Sequence, residues 1–434
     1  MNLSGRRVTI MGLGRHGGGV AAARFVAERG ATVTVTDKAK SGTLGDSLER
    51  LTDLPIGRFE LGGHREVDFR RAEVVVVNPA VRPDDWFLNL ARQSGATITT
   101  EIELFLEACP AKIIGVTGSN GKSTTAAMTA EILKAEGRRT WLGGNIGHSL
   151  LGDLPDIHRD DVVVLELSSF QLAQLSAGAR LPEIAVVTNC TPNHLDWHAS
   201  FADYIAAKRR ILSGQRVEDV SVLNQHDAQV AGWSHLVRGR PLAVLPLESL
   251  PPLAVPGRHN QENAACAAAA ARAAGCSERA IDSGLRAFRG LPHRLELVGE
   301  ISGRKFYNDS MATTPESVIA ALDALDAPTW LLAGGHDKGA DFAAMGQAIV
   351  RKAKGVAFYG AARGVLRAAV DGDDLHCATT ETLAEALDWC WRLSQPDDNI
   401  VLSPACASYD QFVDFADRGE SFARHVRRLV VTQE

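Results

Sequence analysis

The segment GVTGSNGKST, residues 115–124, follows an apolar run at 111–116 and precedes a helical pattern. In that setting a glycine-rich turn presents backbone N–H groups that wrap an anion, and the positive end of the helix beginning at Lys122 adds to the attraction. The Lys122 ammonium can reach the terminal phosphates of a nucleoside triphosphate, and Ser123 or Thr124 can hold magnesium. Gly118, Ser119, Asn120 and Gly121 form the turn itself. The general phosphate-loop pattern wants glycine five residues before Gly121, where this chain has Val116, with glycines at 115 and 118 instead. The shifted glycine points to a subfamily rather than a generic ATPase.

Other residues could share this chemistry. Glu166 in VVVLELSSFQL puts a carboxylate at the C-terminal end of a buried-type strand, where α/β sheets bind ligands, and magnesium is its natural partner. His194 in TNCTPNHLDWH falls beyond another strand, on the same carboxyl edge, although lone histidines are more often structural than ligating. Lys208, beside Arg209 and Arg210, reads by default as a surface lysine. Near the N-terminus, Gly12, Gly14 and Gly17 give GLGRHG after a strand, and Asp37 ends the next one. That pattern suits a dinucleotide, but it also suits any ligand carrying phosphates. Because the chain has a separate nucleotide loop, a nucleotide-bearing substrate fits better. Arg15, His16 and Lys38 then offer donors for a diphosphate, or are solvated loop residues.

The elements that must position these groups are short β-branched runs at 8–13, 32–36, 74–77, 113–116, 162–165, 184–187, 330–333, 356–359 and 400–402, alternating with helical stretches. This is the rhythm of parallel α/β sheets. Punctuation near Thr100 and at 290–293 divides the 434 residues into 1–100, 101–292 and 293–434. The alanine-rich stretch 263–274 reads as a tightly packed helix capped by Asn260 and ended by Gly275. A formal charge of -6 argues against an electrostatic nucleic-acid binder. Seven scattered cysteines without a CxxC pair fit reduced thiols and a cytoplasmic address. The N-terminal apolar stretch runs on as a strand, unlike an export signal, and no run approaches the roughly 18 apolar residues that would span a membrane.

In chain order, GVTGSNGKST, GGNIG (143–147), ELSSFQL (166–172), HLD at His194, AAK ending at Lys208, HNQEN (259–263), LPHRLE (291–296), YNDS (307–310), GGHDKGADF (334–342) and LSPACASYDQF (402–412) resemble the Mur ligases. The resemblance covers nearly the whole chain, and SPACASYDQF with Arg418 after it is similar to the glutamate-adding branch. It implies an ATP-dependent amide ligase of cytoplasmic peptidoglycan precursor synthesis, joining D-glutamate to UDP-N-acetylmuramoyl-L-alanine through an acyl phosphate. An L-glutamate-adding relative is the alternative. The implied fold is α/β in three domains: a Rossmann-like N-terminal domain for the UDP sugar, a central P-loop ATPase domain, and a Rossmann-like C-terminal domain bringing the amino acid. A monomer without nucleic-acid or membrane partners is expected.

Carried over by motif, Gly14, Arg15, His16, Asp37, Lys38, Asn78 and Asn145 would contact the UDP-muramoyl substrate. The family usually shows Ser-Pro-Gly where this chain has Asn78-Pro79-Ala80. The lysine matching Lys208 is carbamylated in the family, which turns a cation into a carboxylate. Ser123, Glu166, His194 and modified Lys208 would then position two magnesium ions, while Asn263, Arg294 and Asp309 hold ATP and His293 supports that corner. Thr313, Lys338, Ser408, the backbone near Phe415 and Arg418 behind them would receive glutamate; read plainly, the Phe415 side chain is core. Met311 stands where the family usually has lysine, which removes one positive charge near the incoming acid. Amide formation needs a phosphorylated carboxylate because oxide is a hopeless leaving group. Lys122 and magnesium must neutralise the approaching anions, His194 is one candidate to assist the attacking amine, and closure of the third domain is expected to exclude water. Two other classes compete: an NAD-dependent oxidoreductase, from GLGRHG and Asp37, and a non-catalytic ATP-binding switch.

Overall fold

The computed structural model describes residues 1–431 apart from 15, 16, 147, 196, 245 and 372–374, and only the backbone of 430 and 431. Among the described residues the strands form three sheets. The first contains β1 (Arg7–Met11), β2 (Thr32–Asp37), β3 (Arg58–Leu61), β4 (Val74–Val77) and β5 (Thr97–Thr100), all parallel in the order β3-β2-β1-β4-β5. The four valines of β4 are all buried, as expected of a parallel strand covered on both faces. The expected first strand at 8–13 stops at Met11, because Gly12 (φ 90°) and Gly14 (φ 64°) turn the chain out of the sheet. That turn lies where the strand order reverses between β1 and its neighbours, the crevice in which such sheets bind ligands.

The second sheet joins β6 (Lys112–Thr117), β7 (Thr140–Gly144), β8 (Val162–Glu166), β9 (Ile184–Val187), β10 (Val220–Leu223) and β11 (Arg240–Leu242) in the order β11-β10-β9-β6-β8-β7, again all parallel. Register places Val116 of β6 beside Glu166 of β8, and Thr117 beside Val187 of β9. The phosphate loop and Glu166 therefore leave the sheet side by side.

The third sheet has the order β12-β13-β17-β14-β15-β16, from β12 (Glu296–Ile301), β13 (Arg304–Asn308), β14 (Thr329–Gly334), β15 (Ala353–Tyr359), β16 (His376–Thr380) and β17 (Asn399–Ala405). Only β12 and β13 pair antiparallel. Their connection is the dipeptide Ser302-Gly303, both at positive φ (48° and 75°), the conformation a two-residue hairpin needs. The sequence reading missed this hairpin, because Glu296–Ile301 and Arg304–Asn308 carry polar residues that dilute the β-branched signal.

The chain divides into two compact units, one of 1–250 with 262–285 and one of 251–261 with 286–434. The first holds the first two sheets and the second holds the third. The alanine-rich helix runs Arg258–Ala273, so Asn260 lies inside its first turn and donates to Pro256 O at 2.6 Å rather than capping it. Its end is as expected: Gly275 (φ 89°) donates to Arg272 O and Cys276 to Ala271 O, both at 3.0 Å, the paired bonds of a Schellman stop. No described helix is long and apolar enough to cross a membrane.

Within the first unit, Glu101 opens the helix Glu101–Ala108 after β5 and accepts a short hydrogen bond from Ser149 Oγ, while Glu103 accepts from the N–H and hydroxyl of Ser176. Burial raises the Glu101 carboxyl from 4.5 to about 7, against the opposing effect of Ser149. The native chain thus holds a proton that the unfolded chain releases, so stability is lost as pH rises from about 4.5 through about 7. Glu101→Gln keeps the Ser149 bond without the part-buried charge. Its melting temperature should exceed that of the parent at pH 8 and match it near pH 4.5; an equal difference at both pH values would refute this origin.

Candidate active site

The phosphate loop is shaped by two glycines that nothing larger could replace. A Cβ on Gly118 would run into Thr188 Oγ1, and one on Gly121 (φ 77°) into Asn263 Oδ1. The left-handed conformation itself costs a non-glycine residue about 1–2 kcal/mol. The turn after β9 laces the loop from outside: Thr188 Oγ1 donates to Asn120 O at 2.7 Å, while Asn189 accepts the Asn120 N–H at 2.8 Å and donates to its carbonyl at 3.0 Å. Lys122 Nζ folds back onto Ser119 O at 3.0 Å, placing its charge over the loop. Ser123 is buried and Thr124 half-buried at the first turn of the helix Lys122–Ala135, and Asn263 sits against Gly121 and Thr125.

Lys208 is not a surface lysine. Its helix, Phe201–Ser213, packs it to 1% exposure, and Nζ donates to Gly118 O at 2.6 Å. Burial, then the nearby Lys122 charge, lowers its ammonium from 10.5 to about 7, so a nucleophilic neutral amine is present at neutral pH. Tyr204, one turn earlier, stacks its ring 4.6 Å from Nζ and sets its hydroxyl 2.9 Å from Ser119 Oγ. Tyr204, Thr188 and Asn189 were missed in the sequence. The available signal was the four-residue spacing between Tyr204 and Lys208, which puts both on one helix face.

Glu166 is the last residue of β8 and is buried. Asn145 donates its backbone N–H to the Glu166 carbonyl and its side-chain amide to Oε1, both at 2.8 Å. The other oxygen, Oε2, is buried with no hydrogen-bond partner among the described residues. A buried carboxylate oxygen left this way is costly unless a cation meets it, so the donor set fits magnesium, a hard ion that prefers oxygen. No three described His, Cys, Asp or Glu side chains converge, however, so the ion's remaining ligands would be hydroxyl, phosphate or a modified lysine. His194 lies exposed at positive φ (55°) in the loop beyond β9, its ring 4.8 Å from that of Phe170.

In the first sheet, Asp37 spends its carboxylate on the glycine turn, accepting from Gly14 N at 3.0 Å and Ala39 N at 2.8 Å. Lys38 is exposed, 3.9 Å from Asp85. Arg15 and His16 lie outside the described residues. Asn78 donates to Gly12 O at 3.4 Å, and its loop is tied to the second sheet's helices by Gln174 Nε2, 2.5 Å from Val81 O, and by Trp197 Nε1, 3.3 Å from Ala80 O.

In the second unit, Arg294 is held in a turn between two non-glycine residues at positive φ, His293 (62°) and Leu295 (43°). Asp309 fixes this turn: it accepts from Leu295 N at 3.1 Å and from Ser403 Oγ at 2.8 Å, and burial raises its carboxyl to about 7. Arg418 is fully buried. Its donors reach Ser310 Oγ and O at 2.9 and 2.8 Å and Cys406 O at 3.0 Å, so it acts on its surroundings through the loops it ties. Ser310 Oγ in turn donates to Phe415 O at 2.7 Å. The Phe415 side chain is 36% exposed and does not belong to the core. Ser408 is buried, Thr313 half-buried and Lys338 exposed. Met311 is 38% exposed and carries no charge.

Three family models match in succession: the Mur ligase MurD-like N-terminal domain over 6–100, the Mur ligase middle domain over 116–245, and the Mur ligase glutamate ligase domain over 293–406. A relative from Roseiflexus sp. (strain RS-1), called UDP-N-acetylmuramoylalanine--D-glutamate ligase, is 39% identical, covering 98% of this chain and 99% of its own. One of the same name from Geobacter metallireducens (strain ATCC 53774 / DSM 7210 / GS-15) is 37% identical over 99% of both. Among solved structures, the UDP-N-acetylmuramate-alanine ligase MurC of Thermotoga maritima shares the fold with a TM-score of 0.60 at 19% identity, covering 98% of this chain and 100% of its own. FolC of E. coli, solved with ADP, reaches 0.54 at 19% identity over 76% and 92%. With matched models across most of its length and full-length relatives well above 30% identity, the chain belongs to the Mur ligase family.

Proposed function

We propose that this chain is an ATP-dependent ligase that joins D-glutamate to UDP-N-acetylmuramoyl-L-alanine, releasing ADP and phosphate, in cytoplasmic assembly of a peptidoglycan precursor. The observation that carries the reading is the phosphate loop with Lys122 folded over it, beside a buried carboxylate, in a chain whose full-length relatives bear that name. Residues 1–100 receive the UDP sugar, 101–292 the ATP, and 293–434 the amino acid. The enzyme acts as a monomer, without nucleic acid or membrane.

The muramoyl-alanine carboxylate and the ATP γ-phosphate repel one another, so the first requirement is a cationic cradle that is rigid before either arrives. Lys122 and the 118–121 backbone supply it, with Asn263, Arg294 and Asp309 orienting the nucleotide. Ser123, Glu166, His194 and Lys208 would hold magnesium, as two ions, and the metal would supply further charge neutralisation when bound. Lys208 serves there as a carbamate: its amine, half neutral near pH 7, adds CO2 and loses a proton, and a buried cation becomes a carboxylate ligand. Gly14, Asp37, Lys38, Asn78 and Asn145 orient the UDP-muramoyl substrate, as do Arg15 and His16. Lys338, Thr313, Ser408 and the Phe415 backbone, braced by Arg418, present the glutamate amine to the acyl phosphate.

Phosphate release should require ATP, UDP-N-acetylmuramoyl-L-alanine and D-glutamate together; equal release without the sugar nucleotide would exclude the ligase. The same assay with L-glutamate tests the consequence of Met311, since a missing charge-assisted contact is worth about 1.5–3 kcal/mol and blunts discrimination. Lys122→Ala should lower kcat at least about a hundredfold. Turnover should also fall in CO2-depleted buffer and return on adding bicarbonate, while Lys208→Ala is inactive in both. Indifference of the parent chain to CO2 would refute the carbamate.

A further inference from the structure

Beside the buried lysine of the site lies a side chain that meets the phosphate loop with its hydroxyl and Lys208 with its ring. Tyr204 is 1% exposed, four residues before Lys208 on the helix Phe201–Ser213. Its hydroxyl is 2.9 Å from Ser119 Oγ, which also donates to Thr191 O at 2.8 Å and accepts from Thr191 N at 2.9 Å. Ser119 is the loop residue whose carbonyl receives Lys122, and the preceding carbonyl, that of Gly118, receives Lys208. The Tyr204 ring lies 4.6 Å from Lys208 Nζ. The same ring meets His198 edge-on at 5.2 Å, His198 stacks on Phe170 at 5.7 Å, and Phe170 meets His194 at 4.8 Å. One rigid ring thus touches the loop, the buried lysine and the aromatic row that leads to His194.

We infer that Tyr204 is a positioning residue of the phosphoryl-transfer site, its hydroxyl setting the phosphate loop through Ser119 and its ring face setting Lys208. The inference rests on the ligase reading above and deepens it. A hydroxyl on an aromatic ring has few rotatable bonds, so the loop segment it holds keeps its N–H directions before nucleotide arrives. The ring lies 4.6 Å from Nζ and fills the space on that side of it, so the tip of the lysine is held by packing toward the loop carbonyl it meets. The two halves are separable because they use different atoms of the same side chain.

The test compares the full chain with Tyr204→Phe, Tyr204→Leu and Ser119→Ala in steady-state ligation, with ¹³C NMR under ¹³CO2 as the readout of lysine carbamate. Tyr204→Phe should raise KM for ATP about three- to tenfold, the loss of one hydrogen bond, with kcat within about twofold and the carbamate signal intact. The Tyr204→Phe/Ser119→Ala double variant should be no worse than the poorer single one, since both break the same contact. Tyr204→Leu should in addition lower kcat and the carbamate signal. An unchanged KM for ATP in Tyr204→Phe, or an equal loss towards all three substrates, overturns the hydroxyl half. A full carbamate signal in folded Tyr204→Leu, or none in the parent chain, overturns the ring half. Absence of ligation by the parent chain would instead overturn the ligase reading itself.

Discussion

Two lysines donate to consecutive carbonyls of one loop, Lys208 to Gly118 O at 2.6 Å and Lys122 to Ser119 O at 3.0 Å. Two ammonium groups in one partly buried corner repel each other, and the cost falls on the deeper one. Lys208 loses its preference for the proton through burial first and through Lys122 second. The corner is therefore short of negative charge. On the proposed reading, a triphosphate would supply it on the Lys122 side, and conversion of the amine to an anion would supply it on the Lys208 side. The surrounding polar network bonds to the same loop, Thr188 and Asn189 at Asn120 and Tyr204 at Ser119.

Topology explains why those groups meet. Val116, Glu166 and Val186 lie in register on β6, β8 and β9, so all three strands end at one level. Each parallel strand delivers its next residues to the same edge, namely the glycine loop, the Glu166 carboxylate and the pair Thr188 and Asn189. Glu166 is then divided between two tasks, with Oε1 pinned by Asn145 and Oε2 left without a protein partner. An atom arranged this way costs stability in the ligand-free chain, which is the usual price of a site shaped for a cation.

The sequence disclosed the strands and the phosphate loop because both are local signals: β-branched runs and a glycine string do not depend on distant partners. It misjudged what depends on tertiary surroundings. Lys208 beside Arg209 and Arg210 looks solvated until the helix Phe201–Ser213 is packed against the loop, and only family resemblance pointed the other way. Asn260 resembles a cap until the helix is seen to begin two residues sooner. Phe415 has a core residue's type but lies part-exposed at a helix start, where its backbone carbonyl is the group in use. The β12–β13 hairpin escaped because its strands are mixed in polarity and its turn is only Ser302-Gly303.

The turn carrying Arg294 has the same character as the phosphate loop, reached by different means. Where the loop uses glycines to adopt left-handed backbone, His293 and Leu295 adopt it with side chains attached, at about 1–3 kcal/mol each. What holds them is visible: Met311 N donates to His293 O at 3.0 Å, His293 N to Glu296 Oε2 at 2.9 Å, and Leu295 N to Asp309 Oδ1 at 3.1 Å. Glycines would relieve the strain but would also let Arg294 swing. If Arg294 holds the nucleotide as proposed, it gains more from a stiff, strained support than from a relaxed one, since the conformational freedom it would lose on binding has already been lost in folding.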